Sequence, residues 1–181
     1  MDLTLTGGPT DLALIAACVT LALVAVWTDI RRGKIFNAVT VPFAVLGLTL
    51  NTIGGGLDGA LMSLGGVAAG FGLWFATRLL GRIIGGGDIK LLMAFGAIMG
   101  PAFMLWTFLV GAIIGGVIAV IVSLRHGILQ QAFRQVAASL YMRAKMSTPL
   151  EITPDSRATS LPYAVALSSG ALIMVGTRIW G

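Results

Sequence analysis

The chain has 181 residues, 57% of them hydrophobic and only 10% charged, and its mean hydropathy is +0.96. That is more apolar surface than a soluble domain can bury, so composition excludes an ordinary soluble fold and points to a polytopic membrane protein. The formal net charge of +5 comes from Lys and Arg scattered among predicted loops, a pattern that speaks of membrane topology and not of nucleic-acid binding.

The N-terminal stretch to Asp11 contains Asp2 and Asp11 but no Lys or Arg. It therefore lacks the positive region of a signal peptide, and the first apolar run is expected to be a retained span. A span takes about 20 apolar residues at ~1.5 Å each, with shorter ones tolerated inside a bundle. By that measure residues 12–28, 38–53 and 60–80 are the first three spans. Residues 89–122 would be roughly 50 Å long as one helix, too long for a single crossing. Gly100-Pro101 is the natural break, because proline disfavours helical geometry in the residue before it. A short fourth span and a longer fifth result, and residues 161–180 make the sixth. The expected fold is all-α, a bundle of six transmembrane helices forming one integral membrane domain over 1–181.

Charge orients the bundle. Arg31, Arg32 and Lys34 follow the first span, and Arg78, Arg82 and Lys90 surround the loop after the third. Arg125, Arg134, Arg143, Lys145 and Arg157 lie between the fifth and sixth. Six spans put all three groups on one side, which the positive-inside rule makes cytoplasmic. Both termini are then expected outside the cytoplasm, with Asp58 and Arg178. Residues 127–145 differ in kind: Leu129, Phe133, Val136 and Leu140 recur at helical spacing beside Gln130, Arg134 and Gln135. They read as an amphipathic helix lying on anionic membrane lipid. Residues 149–159 read as a solvated loop.

Two carboxylates stand apart from this apolar background. Asp29 ends the first span in Thr28-Asp29-Ile30-Arg31-Arg32, and Asp88 follows the glycine run Gly85-Gly86-Gly87 at the start of the fourth. Acids at the ends of spans are costly unless they have a function. Each has a plainer reading: Asp29 as an interfacial acid beside Arg31 and Arg32, Asp88 as a helix N-cap. Taken together they fall at the same membrane face. A fourth span of about 12 residues covers only ~18 Å of a ~30 Å core. Asp88 is thus expected below the cytoplasmic surface, where irregular backbone is tolerated only against protein or a water-filled cavity. Two carboxyl groups that share a proton can hydrolyse a peptide: the ionised one activates water, and the protonated one polarises the carbonyl or serves the leaving amine. Helix dipoles would favour the proton on Asp29, at a helix C-terminus, and the charge on Asp88, at a helix N-terminus. A proton-coupled transporter using the same acids is the rival from another class. It lacks the internal repeat common in transporters, and its acids sit at one face.

These motifs resemble those of the type IV prepilin peptidases. Asp29, Ile35 and Asn37 fit that family's Asp-x5-Ile-Pro-Asn pattern, with Phe36 in the proline position. Gly85, Gly87 and Asp88 fit Gly-x-Gly-Asp, and Ile89-Lys90-Leu91-Leu92 continues as in family members, while Leu161-Pro162-Tyr163-Ala164 looks like the opening of the family's last span. The resemblance implies a membrane aspartyl protease of the bacterial inner membrane with Asp29 and Asp88 catalytic. Gly85, Gly87, Lys90 and Asn37 would be motif and backbone-positioning residues. It implies a prepilin substrate, a basic leader ending in Gly followed by an apolar helix, cut at the cytoplasmic face. Larger members carry a cysteine-rich cytoplasmic insertion linked to zinc and to N-methylation of the product. Here the first loop is short, and Cys18 and His126 are the sole cysteine and histidine. The chain looks like the short, protease-only form of tight-adherence (Flp) pilus systems, needing no metal or cofactor. Gly-x-Gly-Asp proteases acting on other signal-bearing membrane proteins are the alternative within the same chemistry.

Overall fold

The computed structural model describes residues 9–79, 85–125 and 163–180. The amphipathic helix expected over 127–145 and the loop over 149–159 lie outside the described residues. The elements are α1 (Pro9–Arg32), α2 (Asn37–Leu79), α3 (Gly86–Met99), α4 (Pro101–Arg125) and α5 (Tyr163–Trp180). Three stretches, Pro9–Arg32, Asn37–Leu79 and Pro101–Val122, are long and apolar enough to cross a membrane, and Tyr163–Thr177 is a shorter apolar helix. By contact the chain divides into two compact units. Met1–Ile114 with Pro162–Gly181 form one, and Gly115–Leu161, which holds the last turns of α4, forms the other.

The helix count differs from the six expected: the described residues form five. Residues 38–53 and 60–80 do not flank a loop but belong to one helical element, α2, interrupted at Gly56 (φ 58, ψ −133). A positive φ comes at little cost only to glycine, so one residue of the Gly54-Gly55-Gly56 run suffices to turn the chain. The turn is tight, since a Cβ on Gly59 would collide with the carbonyl oxygen of Asn51. The break expected at Gly100-Pro101 is present. Gly100 (φ 89, ψ 173) closes α3 by donating its N–H to the Gly96 oxygen at 2.8 Å, and α4 begins at Pro101, the helical position that proline suits best.

Helix α3 is the centre of the first unit. Ile89, Leu91, Leu92 and Ala94 through Met99 are all buried, although the helix has no polar face to explain how it lies. Both arms of α2 clasp it. Along the second arm, Ser63 donates to the Ala97 oxygen (2.7 Å), Gly66 meets Gly96, and Gly70 meets Met93. Contacts descend α3 as they ascend this arm, so the two run antiparallel. Gly47 of the first arm packs on Ala97 and Ile98. The Asn51 amide donates to the oxygens of Gly47 (2.9 Å), Ala97 (3.1 Å) and Ile98 (3.0 Å). Ala97 and Ile98 are among the last carbonyls of α3, which have no partner within the helix. In lipid no water can satisfy them, and Asn51 and Ser63 do so instead.

Close approach has a steric cause. A Cβ on Gly66 would run into the Gly96 backbone oxygen, and one on Gly96 into Gly66. Between lipid-solvated helices the drive is dispersion and hydrogen bonding, not release of water, so small residues at the crossing matter more than large ones. On its other side α3 meets Ala17, Cys18, Leu21, Ala22 and Ala25 of α1 and Ala164, Leu167 and Ala171 of α5, with Phe95 and Phe103 filling the space.

Candidate active site

One end of the first unit collects the end of α1 and the starts of α2, α3 and α5. Two hydrogen bonds show this. The Ala164 N–H, in the first turn of α5, donates to Asp29 Oδ2 at 3.1 Å, and Lys90 Nζ, in the first turn of α3, donates to Asn37 Oδ1 at 2.8 Å. Thr10 near the start of α1 lies against Gly54 at the opposite end.

Asp29 stands one turn before the end of α1, where its carbonyl accepts the Gly33 N–H at 2.7 Å. Gly33 (φ 60) then turns the chain toward Ile35, whose Cβ would lie 3.4 Å from a Cβ on Gly87. The two sequence motifs thus touch through Ile35 and the bare backbone of Gly87. Phe36 opens α2, its oxygen accepting the N–H groups of Val39 (3.0 Å) and Thr40 (3.3 Å). Arg31 and Arg32 sit over aromatic rings, Trp27 at 4.7 Å and Phe36 at 5.3 Å to the ring centres. Those cation–π contacts hold the guanidinium groups on the neighbouring rings.

Asp88 is the third helical residue of α3 after the cap residue Gly85, whose extended backbone (φ −63, ψ 142) starts the helix. The cap position is held by Gly85 and not by Asp88, so the N-cap reading does not describe it. Oδ2 turns back toward Gly85, 2.8 Å from where a Cβ would be. Glycine at 85 leaves that carboxylate its room. Asp88 and Asp29 are both half-buried and within electrostatic reach of each other. Tyr163, the first residue of α5, is within electrostatic reach of Asp88 as well.

Asp29 also has a partner outside α1: its carboxylate accepts the Ala164 N–H at the start of α5. No pattern local to Asp29 shows this, because the donor is 135 residues away in sequence. The start of α5 at Tyr163 puts that tyrosine at the same end of the bundle as Asp29, beside Ala164. On the α2 side of α3 a groove of about 340 Å³ is lined by Asn37, Thr40, Val45, Ser63, Lys90 and Met93 among others, but by neither aspartate. It is not the cavity of the carboxylate pair.

Helical and apolar over its described residues, with Asp29 and Asp88 within electrostatic reach of each other, the chain is a membrane protein. The model of the type IV leader peptidase family matches residues 16–120, more than half of the chain and both acids with it, and the chain belongs to that family. It is thus a prepilin leader peptidase-type protease. Comparison with curated proteins gives no match, and comparison with solved structures gives none.

Proposed function

We propose that this membrane peptidase is an aspartyl endopeptidase that removes the basic leader of type IV or Flp-type prepilins at the cytoplasmic face of the bacterial inner membrane. One observation carries the reading: Asp29 and Asp88, distant in sequence, are within electrostatic reach at one end of the bundle. Two such carboxyl groups in a poorly solvated site share a proton and titrate as a pair. The ionised member takes a proton from water as the water oxygen bonds to the scissile carbonyl carbon. The protonated member supports the carbonyl oxygen and then gives its proton to the leaving nitrogen as the C–N bond breaks. In this scheme Asp29, which accepts the Ala164 N–H, is the water-activating member and Asp88 the acid.

Gly85, Gly87, Asn37 and Lys90 serve as positioning residues. The whole chain acts as one integral membrane domain, with residues 127–145 on anionic lipid, both termini outside the cytoplasm and no part in nucleic-acid binding. Cleavage needs no metal, and the product leaves unmethylated, because Cys18 is the sole cysteine and is buried in α1. The test is co-expression with a candidate prepilin followed by mass spectrometry of its N-terminus. Release of the leader after Gly, insensitive to chelator and without added methyl mass, is the expected result. An intact precursor defeats the peptidase reading, and zinc-restorable loss of cleavage defeats the metal-free one.

A further inference from the structure

The groove on the α2 side of α3 is built from one stripe of each helical segment around it. Val41, Val45 and Leu48 of the first arm, Leu64 and Val67 of the second and Met93 of α3 line its length, at helical spacing along each arm. Ser63 also lines it but turns its hydroxyl to the Ala97 oxygen, so that length is apolar. Val41 and Val45 are each 56% exposed and Leu64 51%, which opens the groove sideways, toward the lipid around the bundle. The other end is polar. Asn37 and Lys90 stand there, both exposed and joined by their 2.8 Å bond. Asn37 carries no charge, so that bond does not balance the ammonium, and an ammonium has further hydrogens to donate. Thr40, one turn along from Asn37, is buried, and its hydroxyl meets no partner among the described residues.

We infer that this groove holds one anionic phospholipid, with an acyl chain along the apolar walls and the phosphate on Lys90. Charge and shape both select that occupant. A cation at the mouth of a hydrocarbon-lined slot matches a molecule with a phosphate at one end and an apolar chain at the other. The groove is too small for the other apolar ligand that a membrane supplies, a helix. From Asn37 to Leu48 is ~16 Å at ~1.5 Å per residue, and a helix of that length, ~10–12 Å across, fills on the order of 1,000–2,000 Å³. The groove offers about 340 Å³. A thin, flexible acyl chain enters where a helix can only rest on the rim. Because the walls come from both arms of α2, the lipid ties together two segments that meet through the bend at Gly56. The inference needs only that the protein lies in a bilayer and does not depend on the peptidase chemistry.

The experiment is native mass spectrometry of the whole protein, released from detergent in the presence of phosphatidylglycerol or of phosphatidylcholine with the same acyl chains. Wild type is expected to retain one phosphatidylglycerol at a roughly five- to tenfold lower concentration than phosphatidylcholine, the worth of one cation toward an anionic headgroup. Lys90→Met should abolish that preference, and Lys34→Met, at an exposed cation outside the groove, should keep it. Val45→Trp, which fills the groove from its exposed rim, should weaken retention of both lipids roughly tenfold or more, since several buried methylenes lose their contact. Val41→Trp gives the same test should Val45→Trp fail to fold. Phosphatidylglycerol retention unchanged by Lys90→Met, or by the tryptophan variants, overturns the inference. So does an equal loss in Lys34→Met, which would mean diffuse attraction to the basic end of the bundle. Displacement of the lipid by glycerol 3-phosphate would assign the mouth to a free phosphate, and displacement by the apolar segment of a prepilin would assign the groove to substrate; either result overturns it as well.

Discussion

Lys90 reaches from the first turn of α3 to Asn37 at the start of α2, its ammonium donating to the amide oxygen at 2.8 Å across 53 residues of sequence. Each residue belongs to one of the two motifs that carry the aspartates. The bond fixes the loop after Asp29 against the turn that holds Asp88, and Ile35 against Gly87 fixes the same pair of segments from the apolar side.

Removing that bond should disturb catalysis more than stability, because both side chains are exposed. Lys90→Met and Asn37→Leu are each expected to lower leader release roughly five- to tenfold, the scale of one hydrogen bond. The double variant should be little worse than either single one, since both remove the same contact. Additive losses in that cycle would mean the two residues act separately.

Substituting either acid should stop the reaction. Asp29→Asn and Asp88→Asn are expected to lower cleavage by at least about a hundredfold, the contribution of a positioned acid or base, while the protein still reaches the membrane. Infrared difference spectra of the two variants also test the proton assignment. The protonated-carboxyl band should vanish with Asp88 and survive with Asp29 replaced; the opposite pattern reverses the roles.

The two motif glycines should differ. A methyl group at Gly85 would stand 2.8 Å from Asp88 Oδ2, whereas one at Gly87 would meet Ile35 at 3.4 Å, an ordinary contact distance. Gly85→Ala is therefore expected to yield folded protein with cleavage reduced more than tenfold, by displacing the carboxylate. Gly87→Ala should lie much closer to wild type. Equal activities would show that the space beside Asp88 has no catalytic use.

Helix packing gives the sharpest stability contrast. Gly66→Ala forces a Cβ into the Gly96 backbone, while Gly72 has nothing within 4 Å of where a Cβ would be. Overpacking of this kind costs about 1–3 kcal/mol or more, so Gly66→Ala should lower the unfolding temperature and the folded yield. Gly72→Ala should be neutral or gain up to about 1 kcal/mol from helix propensity. Thermal unfolding in one detergent decides between them.

What the sequence made legible follows from what is local. Pro101 announces the end of α3, and an acid after a glycine run is visible in an apolar chain without any fold. The Gly54-Gly55-Gly56 segment was visible as a break, but whether a break is a loop or a one-residue bend depends on the single φ at Gly56. Hydropathy likewise shows that α3 is apolar but not that it is enclosed, since in a membrane protein lipid-facing and buried helices read alike. The hydrogen bond that Asp29 accepts was not legible, because its donor, the Ala164 N–H, belongs to α5 and lies 135 residues away.

The Ala164 bond to Asp29 also joins the first and last described helices of the chain. Asp29 and Asp88 are translated well before α5, so a nascent chain already carries both acids while the amide that donates to Asp29 has yet to be made. That bond forms only once α5 has been made and packed against α1. A truncated product ending before Tyr163 would lack that amide and should release less leader than the full chain.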